Sequence, residues 1–225
     1  MKKKMLLAVL CLTVALPAIA QEKLDKRISE STTVLANTID KPNGIARSLL
    51  DKASCVLVYP GVKKVGVGLG VSYGRGVLVC RSGKTMSGGW GAPVMYTLDT
   101  SSLGAQLGTT ATNYVLLVMS QNGADKVLSG KVKLGSDATA AAGPEAAQAA
   151  GFNDPKIDIL TYSQTKGLFA GASLGSAAMG ADNKADQELY GKTVDAIEII
   201  RGDVSVPAAA KPLVDMLNKV SPARK

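Results

Sequence analysis

Between Ser54 and Met119 the chain is cut by glycine or proline so often that no segment of helical length survives. The pieces between the cuts are short and rich in β-branched, leucine and tyrosine residues: "CVLVYP", "VGVGLGVSY", "GVLVCR", "APVMYTL", "LGAQLG" and "NYVLLVM". Such pieces bounded by turn residues predict strands. A parallel pair needs a crossover of a dozen or more residues, usually a helix, and none is available here. The strands are therefore expected to be antiparallel and joined by hairpins, and the pattern argues against βαβ units.

Helical periodicity flanks this region. Residues Glu22 to Ile39 place Leu24, Ile28, Leu35 and Ile39 near one face and Lys23, Arg27 and Glu30 away from it. Pro42 opens a second short helix carrying Ile45, Leu49 and Leu50 toward the core. Beyond Asn122, "GADKVLSG" predicts a helix, "KVKLG" a strand, and "IDILTYS" and "GLFAGASLG" two more strands. "NKADQELYG" predicts a helix stopped by its glycine, and "PAAAKPLVDMLNKV" a last helix with Pro207 at its start. Residues 135–151 are so rich in Ala and Gly that their periodicity carries no information. The expectation is one α+β domain over residues 21–225, with an antiparallel β-rich core, barrel- or sandwich-like, flanked by N-terminal and C-terminal helices.

Residues 1–20 are set apart. Lys2, Lys3 and Lys4 precede an apolar run from Met5 to Leu16, and Ala18-Ile19-Ala20 has the small-x-small pattern cut by signal peptidase. Bulky Leu10 before Cys11 argues against a lipoprotein site. An exported chain beginning at Gln21 is expected, in the periplasm or attached to the envelope. It carries 23 basic against 18 acidic residues once the three leader lysines are removed. From Lys52 to Leu98 there is no acid, while Lys52, Lys63, Lys64, Arg75, Arg81 and Lys84 fall inside, and Asp99 is the only acid before Asp125. A segment of one sign of charge attracts anionic partners, unless folding scatters its residues over several faces. Cys55 and Cys80 lie in two β-rich runs. In an oxidising compartment they form either a disulfide between adjacent strands or two buried thiols.

The motifs that suggest chemistry fail on inspection. Gly66, Gly68 and Gly70 alternate strictly, but a dinucleotide fingerprint needs glycine where Val71 stands, followed by a helix. Period two makes this a strand, with Val65, Val67, Leu69 and Val71 on one face and a bare glycine face on the other. The tripeptides at Gly83-Lys84-Thr85 and Gly191-Lys192-Thr193 lack the earlier glycine of a P-loop, since Leu78 and Asp186 occupy its place. "GASLG", Gly171 to Gly175, matches G-x-S-x-G around Ser173, yet the chain contains no histidine to act as base. Asp154 with Asp158, and Asp182 with Asp186, are carboxylate pairs without the aromatic platform a sugar site would need. No catalytic residue, metal or cofactor is expected.

Several phrases taken together resemble a known family. "YPGVKKVGVGLGVSYGRGVLVCR", "GGWGAPVMYTL", "GAQLG", "VLLVMS", "LSGKVKLGSDATAAAGP", "ILTYSQTKGLFAGASLG" and "LYG" occur in the order seen in the SYLF domain, over about Ile45 to Gly191. The resemblance implies a non-catalytic module that binds membrane phospholipid. The chain departs from the family pattern at Asn113, at Gly175 and in "AAGPEAAQ", so ligand contacts are not carried over one by one. The expected partners are anionic phospholipid or a membrane surface rather than nucleic acid. The residues expected to meet head groups are drawn from Lys63, Lys64, Arg75, Arg81, Lys84, Lys131, Lys133 and Lys166. The alternative is a structural protein of the envelope that binds another protein or the cell wall.

Overall fold

A computed structural model describes residues 21–65, 69–103, 111–143, 157–165, 168–171, 174, 177–202 and 204–224; for residues 64, 65, 69–71, 101–103 and 168–171 it describes the backbone alone. Residues 1–20, the "LGAQLG" segment beyond Leu103, Asp154, Lys166 and Ser173 lie outside the described residues.

Helix α1 covers residues 21–38, and α2 covers Arg47–Lys52. Helix α2 begins five residues after Pro42 because Ile45 is held in a bridge with Ile39, across a turn in which Asp40 and Asn43 have positive φ. The strands are β1 (Cys55–Val65), β2 (Leu69–Cys80), β3 (Val94–Leu103), β4 (Ala111–Val118), β5 (Val132–Lys133), β6 (Ala140–Ala142), β7 (Ile159–Thr165), β8 (Leu168–Gly171) and β9 (Ala177–Ala181). The further α-helices with both ends among the described residues are α3 (Gln121–Leu128), α4 (Asn183–Tyr190), α5 (Ala196–Arg201) and α6 (Lys211–Val220). Ser120, Asp182 and Asp195 cap α3, α4 and α5 by accepting from backbone N–H groups. Gly191 ends α4 in the left-handed conformation.

One sheet contains all nine strands, in the order β5-β9-β3-β2-β1-β4-β7-β6, with β8 also on β7. Every pairing is antiparallel except β6 with β7. The outermost strands, β5 and β6, are joined by residues 134–139 alone. Laid flat, the seven strand spacings between them would span about 34 Å, whereas the seven Cα steps from Lys133 to Ala140 reach at most about 25 Å. That link is itself folded back, with the N–H of Asp137 donating to the carbonyl of Lys133 and that of Gly135 to Ala138. The sheet must therefore curl, and it forms a half-barrel; of the barrel- or sandwich-like cores expected from the sequence, the barrel-like one is found.

Both faces of the curl are apolar near its middle. On β1, Cys55, Leu57 and Tyr59 enter an inner core with α3 and α5, through Val127, Leu128, Ile199 and Ile200. Val56 and Val58 face outward into a second core with α1, α2, α4 and α6, through Ile28, Leu35, Leu50, Leu189 and Leu217. This is why "CVLVY" reads as an unbroken apolar run and not as an alternation. Each such side chain contributes about 1.5–3 kcal/mol by leaving water.

Two expectations change. The valines read as one face of a single strand are divided between two: β1 ends at Val65, β2 begins at Leu69, and Val65 pairs with Val71 across them, while Gly66 and Gly68 lie outside the described residues. Where the bare face is described it is filled by the protein itself, since a Cβ on Gly76 would lie 2.3 Å from the carbonyl oxygen of Val58 and one on Gly74 2.7 Å from Val62 Cγ2. Cys55 and Cys80 are direct partners across β1 and β2, with Cα atoms 4.0 Å apart, and form a disulfide; the thiol alternative falls. The alanine strands β6 and β9 and the short helix α5 carried no sequence signal strong enough to be expected.

Candidate anion-binding cleft

Past Tyr59 the sheet extends beyond its apolar middle, and the outer face turns cationic there. A β-bulge in β1 makes the change. Register shifts between Tyr59 and Val62, around Gly61 at φ +57°, whose N–H donates to Asn113 Oδ1 at 2.7 Å. Tyr59 and Val62 both face the inner core although they are three residues apart, so Lys63 is thrown onto the outer face. Without the extra residue its side chain would point inward.

The register places the predicted lysines and arginines in rows. Lys133 pairs with Ala178, Ala178 with Asp99, Asp99 with Tyr73, and Tyr73 with Lys63. Partners in register share a face, so this row crosses five strands, about 19 Å, on the outside of the curl. Arg75, two residues from Tyr73, and Lys131, two from Lys133, belong to the same face. Lys63, Arg75, Lys131 and Lys133 are exposed together there. Lys84 is also exposed, but in the turn after β2, beside Gln121 and Arg201 at the other end of the sheet. Lys64 is described by its backbone alone and Lys166 not at all.

Arg81 is corrected. It is fully buried, and its guanidinium donates to the carbonyls of Ala53, Gly88, Ser221 and Pro222 and to Ser221 Oγ. It stacks 4.4 Å from the ring of Trp90, and burial pushes its pKa down to about 10. It ties β2 to the C-terminal segment and cannot reach a head group.

Helix α1 lies over the cationic face and borders an open cleft of about 480 Å³ lined by Lys23, Lys26, Arg27, Lys63 and Arg75, with Glu30 the one acid among its described lining residues. Lys23, Lys26, Arg27 and Glu30 share a helix face by their spacing. Lys26 meets Glu30 at 3.9 Å on the exposed rim. Tyr73 also lines the cleft and is 45% exposed. Arg75 Nε donates to the Tyr73 hydroxyl at 2.9 Å, which chiefly holds the guanidinium above its ordinary pKa.

Arg27 was expected on the solvent side of α1 and is instead 8% exposed. It falls in the stripe of Leu24, Ile28 and Ser31, all of them buried. Its Nη1 lies 3.7 Å from Asp182 Oδ2 and has no hydrogen-bond partner. Burial lowers its pKa, Asp182 opposes the shift, and Arg75 is near enough to deepen it. Asp182 and Asp186 both act on Arg27, and Asp182 and Glu188 on Arg75, so Asp182 is the carboxylate the two guanidiniums share. Behind them Asp186 is fully buried; its Oδ1 accepts the N–H of Met95 at 2.7 Å, its Oδ2 has no partner, and burial pushes its pKa up to about 7. Asp158, of the other carboxylate pair, is taken up by Ser120, Asn122 and the N–H of Thr139, with Lys126 at 3.6 Å. Among the described residues no group of His, Cys, Asp and Glu could hold a metal ion, and no helix is long and apolar enough to cross a membrane.

Residues 99–220 match the family model Ysc84, described as Las17-binding protein actin regulator. An SH3 domain-containing protein of Schizosaccharomyces pombe is 32% identical over 167 residues, covering 72% of this chain and 38% of its own length. Protein YSC84 of Saccharomyces cerevisiae is 31% identical over 150 residues, 64% of this chain and 31% of that one. The human SH3 domain-containing YSC84-like protein 1 is 24% identical over 199 residues, 87% of this chain and 54% of that one. The chain thus spans about a third to a half of the relatives it matches, and the family description is one of binding and regulation. With more than half its length inside the matched region, the chain belongs to the Ysc84, or SYLF-domain, family.

Proposed function

We propose that the protein is a non-catalytic binder of anionic membrane phospholipid, exported to the cell envelope. The observation that carries this is the convergence of Lys63, Arg75, Lys131 and Lys133 on one face of the half-barrel, next to a cleft where α1 adds Lys23, Lys26 and Arg27. Each basic residue near an anionic surface adds about 1 kcal/mol, screened over a Debye length of about 8 Å at physiological salt. Four exposed cations on one face, less the opposing charge of Asp99 in the same row, then supply about 3 kcal/mol at low salt, a useful fraction of a peripheral membrane affinity. The exposed ring of Tyr73 sits among them with an apolar body and a polar tip, the kind of side chain that settles at a lipid–water boundary.

Co-sedimentation of the protein with vesicles tests this. Binding to anionic but not neutral vesicles, lost as salt rises and weakened by Lys63→Gln with Lys133→Gln, is the expected result. Equal binding to both vesicle types at low salt refutes the electrostatic part, and no binding to either refutes the lipid reading. The family description favours a second reading, in which the same surface binds a protein as the Las17-binding relatives do. A stoichiometric protein partner in native mass spectra, with no vesicle binding, would establish it.

A further inference from the structure

Helix α4 is fastened to the sheet, whereas the N-terminal half of α1 is not. The N–H of Asp182 donates to the carbonyl of Met95 at 2.8 Å, Asp186 Oδ1 accepts the N–H of the same residue, and the Tyr190 hydroxyl donates to the carbonyl of Pro93. The C-terminal end of α1 is tethered too, since the N–H of Ile45 donates to the carbonyl of Thr38 at 2.9 Å. Before that end, the side-chain hydrogen bonds of α1 among the described residues stay inside the helix, as from Gln21 to Asp25, Ser31 to Arg27 and Thr32 to Ile28. Leu24 and Ile28 pack into the outer core, and one ion pair, Arg27 with Asp182 at 3.7 Å, crosses to α4. A helix tied at one end and held elsewhere by packing is an element that can open without the rest of the fold.

Beneath α1 the polar atoms are mismatched. Among the described residues three buried side-chain atoms lack a hydrogen-bond partner, and two of them, Arg27 Nη1 and Asp186 Oδ2, belong to this junction of α1 with α4. Unpaired buried polar atoms are costly, so the closed arrangement holds free energy that hydration would recover. Few groups face Asp186. Arg27 comes from α1, Asp182 from the cap of α4, and the N–H of Met95 from β3. Tyr96 of β3 and Tyr190 of α4 also feel its charge, and burial holds both above their ordinary pKa, so neither ionises near neutrality. Arg75 of β2 acts on Arg27 and Asp182. Asp186 is the group here that burial brings into the neutral range, at about 7.

We infer that α1 is a pH-operated cover, whose N-terminal half leaves α4 and the outer face of the sheet when Asp186 ionises. With the Asp186 carboxyl protonated, Arg27 and Asp182 balance each other and the junction is neutral. Loss of the proton adds a second negative charge that one guanidinium cannot balance, while Asp182 stays engaged in capping α4 through the N–H of Ala185. Water reaches Asp186 once the first turns of α1 swing out about the Thr38–Ile45 tether, and the bond to Met95 stays in place. Burial is the largest influence on the Asp186 carboxyl and Arg27 the smallest, so relief of burial outweighs loss of the guanidinium. The open form binds fewer protons than the closed one between about pH 4 and 7, so opening grows as pH rises through that window and levels off above it. Opening uncovers Leu24 and Ile28 on α1 and Leu189 on α4. The inference rests on the α1–α4 junction alone and stands whether or not the protein binds anions.

Hydrogen–deuterium exchange of the full protein tests this, read by mass spectrometry between about pH 5 and pH 8 with labelling times scaled to the intrinsic rate. Peptides from α1 are compared with peptides from β1 and α6, which report global unfolding. Lower protection in the first half of α1 than in β1 or α6 is expected, with its opening constant rising by up to about tenfold per pH unit until about pH 7 and flat beyond. Asp186→Asn should abolish that rise and keep α1 protected at pH 8 as it is at pH 5. Asp182→Asn is the second arm: asparagine still caps α4, but a like charge beside Asp186 is gone, so the plateau should arrive at a lower pH. A merely structural Asp182 would lower protection equally at every pH and leave the plateau where it was. Equal protection in α1, β1 and α6 overturns the cover. Protection of α1 that ignores pH, or a pH dependence that survives Asp186→Asn, overturns the part given to Asp186.

Discussion

Replacing Asp186 by Asn should make the protein more stable and remove much of its pH dependence near neutrality. The carboxyl is fully buried, and its pKa is pushed from 3.8 up to about 7, chiefly by burial, with Asp182 adding and the Met95 N–H and Arg27 opposing. The folded protein therefore holds a proton on Asp186 between about pH 4 and 7 that the unfolded chain has released. Stability falls as pH rises through that window and levels off above it. The gap between 3.8 and about 7, at about 1.4 kcal/mol for each tenfold change in proton affinity, amounts to about 4 kcal/mol. Asparagine keeps an oxygen for the N–H of Met95 and cannot ionise. Urea denaturation of both proteins at intervals from pH 4 to pH 8 is the measurement. The curves should lie closest near pH 4 and diverge upward, with the variant ahead by about 2–4 kcal/mol at pH 8. Parallel curves, or a variant that loses stability at pH 8, would refute the account of Asp186 as a carboxyl neutralised by burial.

Other outcomes follow from the same contacts. Arg81→Lys keeps the charge but loses the planar fork, its stacking on Trp90 and at least two of its five hydrogen bonds, and should cost about 3 kcal/mol in denaturant unfolding. A lipid-contacting Arg81 would instead leave stability unchanged and weaken vesicle binding. Reducing the Cys55–Cys80 disulfide, which closes a loop across a sequence separation of 25, should cost about 3 kcal/mol, read as a lower denaturation midpoint in reductant. Gly61→Val forces a β-branched residue into φ +57° at the bulge; it should cost about 1–2 kcal/mol and weaken vesicle binding with it, because the bulge aims Lys63.

Much of this fold was legible in the sequence because its central strands are long and apolar and its helices have clear stops. "CVLVYP", "NYVLLVM" and "IDILTYS" lie on strands, and Gly191 ends a helix as its position predicts. Strand β9 was not legible: "AAMGA" has neither bulk nor alternation, and it is a strand because β3 offers it partners. The run from Val65 to Val71 was misjudged as one strand because period two is the same on one strand as on two paired strands. The site was legible only in its charges. An acid-free segment says that cations are present, but register decides which ones share a face, and it separated Lys63 and Arg75 from Lys84 and from Arg81. Arg27 was hidden by its own charge: arginine reads as solvent-facing, although its spacing from Leu24, Ile28 and Ser31 puts it on the buried stripe.

The six-residue link between β5 and β6 also bears on how the chain avoids associating with itself. A nine-stranded open sheet would present two edges, each with unpaired backbone groups able to recruit another chain. Here β5 and β6 are the shortest strands in the sheet, with two and three residues, β8 continues the edge beside β6, and the link holds β5 and β6 near each other. Cutting the chain between Leu134 and Thr139, or moving its termini there by permutation, would release that constraint without removing any buried side chain from the central strands. The freed edges would then be the places where one copy adds to the next, so such a chain should fold its middle and still aggregate.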